Sequence, residues 1–257
     1  MVRIIYISGL LSFANIHNFG NVIIEDELIQ HYHFPEMLNY YSGNFITFKR
    51  MPSIDEFKET ADCLKNFHLK NGQNHLLFYF PEGEYLDEEL QQYLKANDYD
   101  FSYNELYKIH PNDFPSFTKN PNIVVETVKL ETLDTFLQLQ YNLDLEFGIE
   151  FAKGKQMIHK TNFYNENWKQ VIAFYQGTPA GTLDLIVSEK TVEIDNFTLL
   201  ESFRKKGIGK HMQKYVMEQY PNHTVILVAE GEGTAREMYR KQNYQFVSFQ
   251  YEALIIF

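Results

Sequence analysis

Two glycines one residue apart, behind an arginine and two lysines, sit where this chain turns from strand to helix: Phe203-Arg204-Lys205-Lys206-Gly207-Ile208-Gly209-Lys210. The run Thr191 to Leu199 before them reads as a strand. After them Ile208, Met212, Tyr215 and Val216 recur at near 3.6 spacing, which predicts a helix from Ile208 to Gln219 that Pro221 stops. The first N–H groups of a helix have no partner inside it and carry the positive end of its dipole, so such a terminus suits an anion, phosphate above all. Gly207 and Gly209 have no Cβ and let a ligand approach the backbone closely. The plainer alternative is a basic helix start after a tight turn.

Composition narrows what that anion can be. The chain has 257 residues and a net charge of −11. Residues 1–118 carry 8 Lys and Arg against 17 Asp and Glu, a net of −9; residues 119–257 carry 15 against 17, a net of −2. No broad basic face follows from these totals, which argues against nucleic acid as a partner. The local exception is Arg204, Lys205, Lys206, Lys210 and Lys214, with no acid between 202 and 217. A small anion fits that patch better than a polymer does, although lysines are most often simply solvated. The single cysteine, Cys63, excludes an intrachain disulfide and fits a reducing compartment. The apolar run near Met1 is too short for a signal peptide, and no run approaches the length that spans a bilayer. A cytoplasmic protein is expected.

The length allows two ordinary domains. In the first part, Val2 to Ile7 and Val22 to Ile24 read as short strands, and Glu25 to Tyr32 as helical or irregular. His31 and His33 lack an obvious third ligand, so no metal is expected. Phe45 to Phe48 is a strand. Ser53 and Glu56 are spaced as a capping box for a helix with Ile54, Phe57, Ala61, Leu64 and Phe67 on its apolar face, closed by Asn71-Gly72. His75 to Phe80 is a buried strand, Asp87 to Ala96 a helix, and Asn97 to Phe101 and Glu105 to Ile109 two further strands. Three prolines between Pro111 and Asn122 mark a boundary, giving domains 1–118 and 119–257.

In the second part Ile123 to Val128 is a strand, Glu131 to Phe147 a helix and Phe151 to Tyr164 a second helix. Gln170 to Tyr175, Ala180 to Val187 and Val192 to Leu199 are strands. The glycine loop and its helix follow, then the strand Thr224 to Ala229, a helix from Thr234 to Gln242, and a strand-rich end from Tyr244 to Phe257.

A P-loop needs Gly at 204 and Ser or Thr at 211, where Arg204 and His211 stand. A dinucleotide fingerprint needs a small residue where Met212 stands. Arg204-x-x-Gly207-x-Gly209 instead resembles the pyrophosphate loop of the GNAT acetyltransferases. Ala235-Arg236-Glu237-Met238-Tyr239-Arg240-Lys241 is similar to that family's Ala-x-x-Leu-Tyr-x-Lys, and Glu193 stands where several members carry a catalytic glutamate. The element order β-α-α-β-β-β-α-β-α-β-β over about 135 residues is also the GNAT order. Three departures stand out: Asn243-Tyr244 replaces a Gly-Phe pair, Glu232 an asparagine and Glu201 a proline. The resemblance implies a mixed α/β sheet, with a GNAT fold in the C-terminal domain. The N-terminal domain reads either as a smaller, degenerate GNAT-like half without a cofactor loop, making the chain a tandem, or as an unrelated α/β cap.

By that resemblance the chain is an acyltransferase moving an acetyl group from acetyl-CoA directly to a primary amine of a small molecule or peptide. Backbone N–H groups of Arg204, Lys205, Lys206, Gly207, Ile208, Gly209 and Lys210 would hold the pyrophosphate, and an N–H near Leu199 would polarise the thioester carbonyl. Strand alternation puts Glu193 and Asp195 on one face with Phe197 and Leu199. Either acid would deprotonate the amine, Glu193 first, or act only as a counter-charge. Tyr239 would protonate the leaving thiolate, or be a core tyrosine. Glu146, Phe147, Glu150, Phe151 and Tyr251 would frame the acceptor beside Asp144, or be packing and solvated charge. No metal, nucleic acid or membrane is implied, and a homodimer is left open. A competing reading is a CoA- or acyl-CoA-binding protein with little turnover.

Overall fold

Ser53 and Glu56 form the reciprocal cap that their spacing predicts. The Glu56 carboxylate accepts from the Ser53 N–H at 2.9 Å, and the Ser53 hydroxyl accepts from the Glu56 N–H at 3.3 Å. They open α1 (Ile54–Lys70), which buries Phe57, Ala61 and Leu64. The structure is a computed structural model and describes residues 11–233 and 235–257. The strand expected within residues 2–7 and the Thr234 of the last helix start lie outside the described residues.

Around α1 the first half comprises β1 (Asn21–Glu25), β2 (Ile29–His33), β3 (Phe45–Phe48), β4 (His75–Tyr79), α2 (Glu88–Ala96) and β5 (Asp100–Ile109). Residues 25–32, expected to be helical or irregular, instead end β1, turn at 26–28 and enter β2. Asp26 is the reason: its side chain accepts from the N–H groups of Leu28 and Ile29 at 2.7 and 2.8 Å, closing an Asx-type turn. Residues 100–109 are one strand, not two.

The second half runs β6 (Ile123–Thr127), α3 (Leu130–Asp144), α4 (Ile149–Phe163), β7 (Trp168–Tyr175), β8 (Thr178–Val187), β9 (Thr191–Leu199), α5 (Ile208–Gln219), β10 (Thr224–Glu230), α6 (Ala235–Lys241) and β11 (Gln245–Ile256). The strand-rich end is thus a single strand rather than the pair expected from the element order. Asn243, at φ 68°, provides the left-handed helix stop that glycine usually fills.

The place of the missing strand is taken by the other half. All described strands join one sheet in the order β1-β2-β3-β4-β11-β5-β10-β9-β8-β7-β6. In each half a parallel pair is bridged by a helix: β3 and β4 by α1, β9 and β10 by α5. Each half then adds a helix and a last strand that crosses over. β5 pairs antiparallel with β10, and β11 with β4. The two exchanged strands pair with each other, Tyr103 opposite Tyr251. The strand order is therefore symmetric about the β5/β11 seam. Gly231 stands where the seam leaves no room: a Cβ there would lie 2.0 Å from a Tyr103 ring carbon, and its N–H donates to the Tyr103 carbonyl at 2.8 Å.

The helices divide between the faces. Val171 packs in the cluster that holds α5 and Tyr239 of α6, whereas its neighbour Ile172 packs under α3 with Val128, Leu133 and Phe136. The exchange also divides the cores: Ala253 of β11 is buried among Phe48, Phe57 and Phe78 of the first half. An Ala253→Asp substitution places a charge in the N-terminal core and is expected to cost more than about 3 kcal/mol. Trp168, the sole tryptophan, lies in the other half. In urea unfolding its fluorescence midpoint is expected to fall together with the circular-dichroism midpoint. A shift in circular dichroism alone would mean that the halves unfold independently.

Candidate active site

β9 and β10 run parallel and in register from Thr191 opposite Thr224 to Ile194 opposite Leu227, and there their pairing ends. β9 continues to Leu199 beside β8 alone, and β10 to Glu230 beside β5 alone. The cause lies in β9. Between Asp195 and Thr198 it carries one residue more than β8 carries between Asp184 and Thr182, and Asn196 takes up the excess at φ 50°. This bulge breaks the simple alternation expected from the sequence. Glu193 and Asp195 face α3 and α4, on the side of their strand partners Ile186 and Asp184, whereas Phe197 and Leu199 turn to the other side, against Gly209 of α5.

The open end of the cleft is the glycine loop. Lys205 and Gly207 adopt left-handed backbone at φ 62° and 82°. Gly207 is the N-cap of α5, with no side-chain cap and no acid in the first turn, so the leading N–H groups are uncapped. Nothing lies within 4 Å of where a Gly207 Cβ would be, whereas one on Gly209 would come within 3.2 Å of the Phe197 ring. His211 fixes the loop: its Nε2 accepts from the Asn120 N–H at 2.8 Å, so Nδ1 carries the proton and donates to the Gly207 carbonyl at 2.8 Å. Lys206 lies over the rings of Tyr175 and Phe203, and Lys210 over that of Phe117. These residues form a cradle fit for a phosphate-bearing ligand.

Where the strands part, a chamber of about 300 Å³ collects Glu193, Asp195, Asn196 and Tyr239 with His17, Phe19, Tyr40 and Tyr79 of the first half. Glu193 is 6% exposed. Burial, with the Asp195 charge beside it, pushes its carboxyl up from 4.5 to about 8, against the His17 N–H that donates to Oε2 at 2.9 Å. Burial raises the Tyr239 hydroxyl to about 12. Behind Asp195 lies a second layer, of which the sequence had singled out Asp144 but not Asp184 or His159. Asp184 is buried and raised to about 7 by that burial and by the Asp195 charge. Asp144 is raised to about 6 by burial, against Lys155. His159, whose Nδ1 is 3.6 Å from Asp184, is lowered to about 3 by burial and Lys155, and is neutral. Asp184 had a signal: it is the single charge in the otherwise apolar run Ala180 to Val187.

Of the residues expected around an acceptor, Phe151 reaches this region, its ring 6.2 Å from that of Tyr40. Phe147 packs on Phe151 and is otherwise exposed, Glu146 is exposed, and Glu150 pairs with Lys153 at the surface. Tyr251 lies across the sheet, in a groove with Tyr85, Tyr103, Phe249 and Arg236. No described helix is long and apolar enough to cross a membrane.

Known structures share this architecture. A functionally unknown conserved protein of Staphylococcus epidermidis superposes with a TM-score of 0.87 at 29% identity, covering 95% of this chain and 97% of its own. A GCN5-related N-acetyltransferase of Kribbella flavida gives 0.63 at 13%, covering 91% and 88%. A tandem GNAT protein from the clavulanic acid biosynthesis pathway gives 0.51 at 9%, covering 82% and 75%. The fold is thus that of the GNAT proteins. Residues 137–244 match the acetyltransferase (GNAT) family model. Residues 11–107 match a domain of unknown function, DUF5613. No curated protein sequence matches the chain.

The raised Glu193 carboxyl has a consequence for stability. A carboxyl that binds its proton more tightly in the fold than in the unfolded chain, here near 8 against 4.5, favours the fold most below about 4.5. That contribution is lost as pH rises through about 8. Glu193→Gln is therefore expected to raise the melting temperature at pH 8.5, by a free energy on the order of a few kcal/mol, and to leave it nearly unchanged at pH 4. Equal melting temperatures at pH 8.5 would mean that Glu193 is not held in this state.

Proposed function

We propose that the chain is an acetyl-CoA-dependent N-acetyltransferase that moves an acetyl group directly to a primary amine. Its two units are residues 1–118 and 119–257. The observation that carries the reading is the parting of β9 from β10, which joins the uncapped N-terminus of α5 to a chamber lined by both Glu193 and Tyr239. The backbone from Arg204 to Lys210 supplies donors for the pyrophosphate. Pantetheine would lie along the unpaired edge of β9. Leu200 donates to the Ala180 carbonyl across β8 at 3.0 Å, so strand alternation turns the Leu199 N–H toward the cleft. There it meets the thioester oxygen as a single oxyanion donor.

Glu193, ionised, takes a proton from the acceptor ammonium, directly or through one water, with Asp195 as the neighbouring charge. The freed amine attacks the thioester carbonyl carbon. As the new C–N bond forms, the C–S bond breaks and the sulfur keeps the electron pair. Tyr239 gives its hydroxyl proton to that thiolate and is restored by the proton that the nitrogen gives up. Burial of Tyr239 disfavours its phenolate, so the hydroxyl stays loaded until the sulfur needs the proton.

Calorimetric titration with acetyl-CoA is expected to show saturable binding by the wild type and none by Gly207→Glu, which sets a carboxylate among the anion-binding N–H groups. No binding by the wild type at millimolar acetyl-CoA would sink the reading. Tyr239→Phe is expected to lower kcat on the order of 10²-fold with acetyl-CoA affinity unchanged. The rate is expected to rise with pH through an ionisation near 8 that Glu193→Gln removes. Tight binding with no turnover on any amine would favour a CoA-binding protein instead.

A further inference from the structure

We propose that the N-terminal half is the acceptor-binding part of this protein, and that the chamber it closes over Glu193 takes a small cationic amine rather than a peptide or a protein lysine. The inference rests on the acetyltransferase reading and assigns a role to the half that matches only a domain of unknown function.

Two N-terminal segments form the chamber's far wall. The first, residues 12–19, is a strap pinned at both ends. The Phe13 N–H donates to Glu82 at 3.0 Å, and the His17 N–H donates to Glu193 at 2.9 Å. Between strap and sheet the rings interlock: His17 and Phe19 pack on Trp168 at 5.1 and 5.5 Å, and Phe19 meets Tyr40 at 5.4 Å. The second segment, residues 34–44, carries Tyr40 and is held by Asn44, whose amide donates to the carbonyls of Met37 and Tyr40. A bulky acceptor that moved the strap would break the hydrogen bond that orients Glu193. A free amine of a few carbons fits within about 300 Å³ without doing so.

The charge of the site selects a cation. The strap occupies only Oε2 of Glu193, and no described residue donates to Oε1. The Tyr40 hydroxyl also has no partner among the described residues, and it lies in the field of Asp195, Asp184, Asp144 and Glu193. Against those four carboxylates stands one buried ammonium, Lys155, 4.6 Å from the centre of the Tyr40 ring. An entering ammonium supplies the missing positive charge. It meets Glu193 Oε1 on one side and the aromatic faces of Phe19 and Tyr40 on the other. Phe19 and Tyr40 then set which amines bind, and His17 acts as a positioning residue through its backbone N–H.

Trp168 reports on the chamber, because His17 and Phe19 lie against its ring. In the full-length protein with CoA bound, 1,4-diaminobutane and 2-phenylethylamine are titrated against Trp168 fluorescence. Turnover of the same amines and of a lysine-containing decapeptide is followed by thiol release. The expected result is a saturable fluorescence change with the small amines and a much poorer response to the peptide. Tyr40→Phe and Phe19→Ala should each weaken amine binding on the order of 10-fold or more, with calorimetric acetyl-CoA affinity unchanged. Tyr40→Phe keeps the ring and tests the hydroxyl in a fold that loses no packing. Unchanged amine affinity in both variants overturns the inference. So does a preference for the peptide, or acetyl-CoA binding with no response to any small amine. Absence of acetyl-CoA binding by the wild type overturns the acetyltransferase reading, and this inference with it.

Discussion

The hydrogen bonds that β9 and β10 do not make shape the rest of this molecule. A parallel pair inside a sheet normally satisfies its backbone groups along its whole length. Here the ladder stops at Ile194 and Leu227 because the bulge at Asn196 swings β9 away. The strand edges beyond that point need other partners. β10 finds β5 on its far side and β9 finds β8, so the sheet stays continuous around the gap. The near edges are left facing a cleft. An extended ligand with alternating amide donors and acceptors can complete them as a strand would, which is the chemistry of pantetheine.

The two halves show what decides whether such a gap stays open. Both have a helix crossing between parallel strands, and both sheets could part at the corresponding place. At α1 the N-terminus is closed by its own residues: Ser53 and Glu56 cap each other, and Arg50 pairs with Glu56 at 2.6 Å. Asp55 adds a further negative charge in the first turn, the opposite of what an anion would meet favourably. The space between the strands there is filled by Phe48, Phe57, Phe78 and Phe80, with ring centroids 5.0 to 6.1 Å apart. At α5 the cap is Gly207, the first turn has no acid, and the residue facing the strand is Gly209. One half spends its interior on aromatic packing and the other keeps a cleft.

The sequence carried the local part of this account well. The glycine loop, the capping box at Ser53, the helix stop at Asn243 and the strands on either side of α5 are set by neighbours a few residues apart, and periodicity and turn chemistry read them directly. The strand exchange was not legible. Whether β11 pairs with its own half or with β4 depends on contacts more than a hundred residues away, and an alternating aromatic strand such as Gln245–Ile256 suits either partner. The bulge escaped for a related reason. Asn196 is an ordinary strand position by pattern, so Phe197 and Leu199 were assigned to the face of Glu193. Tyr251 was misleading because placing it near the acceptor presumes a terminal hairpin, and its real partner strand, β5, comes from the other half.

The acidic layer around Glu193 shows how the fold treats its own cost. Four carboxylates and one lysine share a buried region, an arrangement that would destabilise the fold if every acid were charged. The structure answers by holding protons: Glu193, Asp184 and Asp144 all titrate well above ordinary carboxylates, with burial as the leading cause in each. His159 could have balanced one of them but is kept neutral by its own burial and by Lys155. Positive charge is therefore withheld from the site by construction. A site that lacks one cation and keeps its base partly protonated near neutral pH is poised to be completed by a ligand that brings charge and proton together. On the proposed reading an alkylammonium does both, and Glu193, once ionised, would accept the proton that the ligand must lose before it can act as a nucleophile.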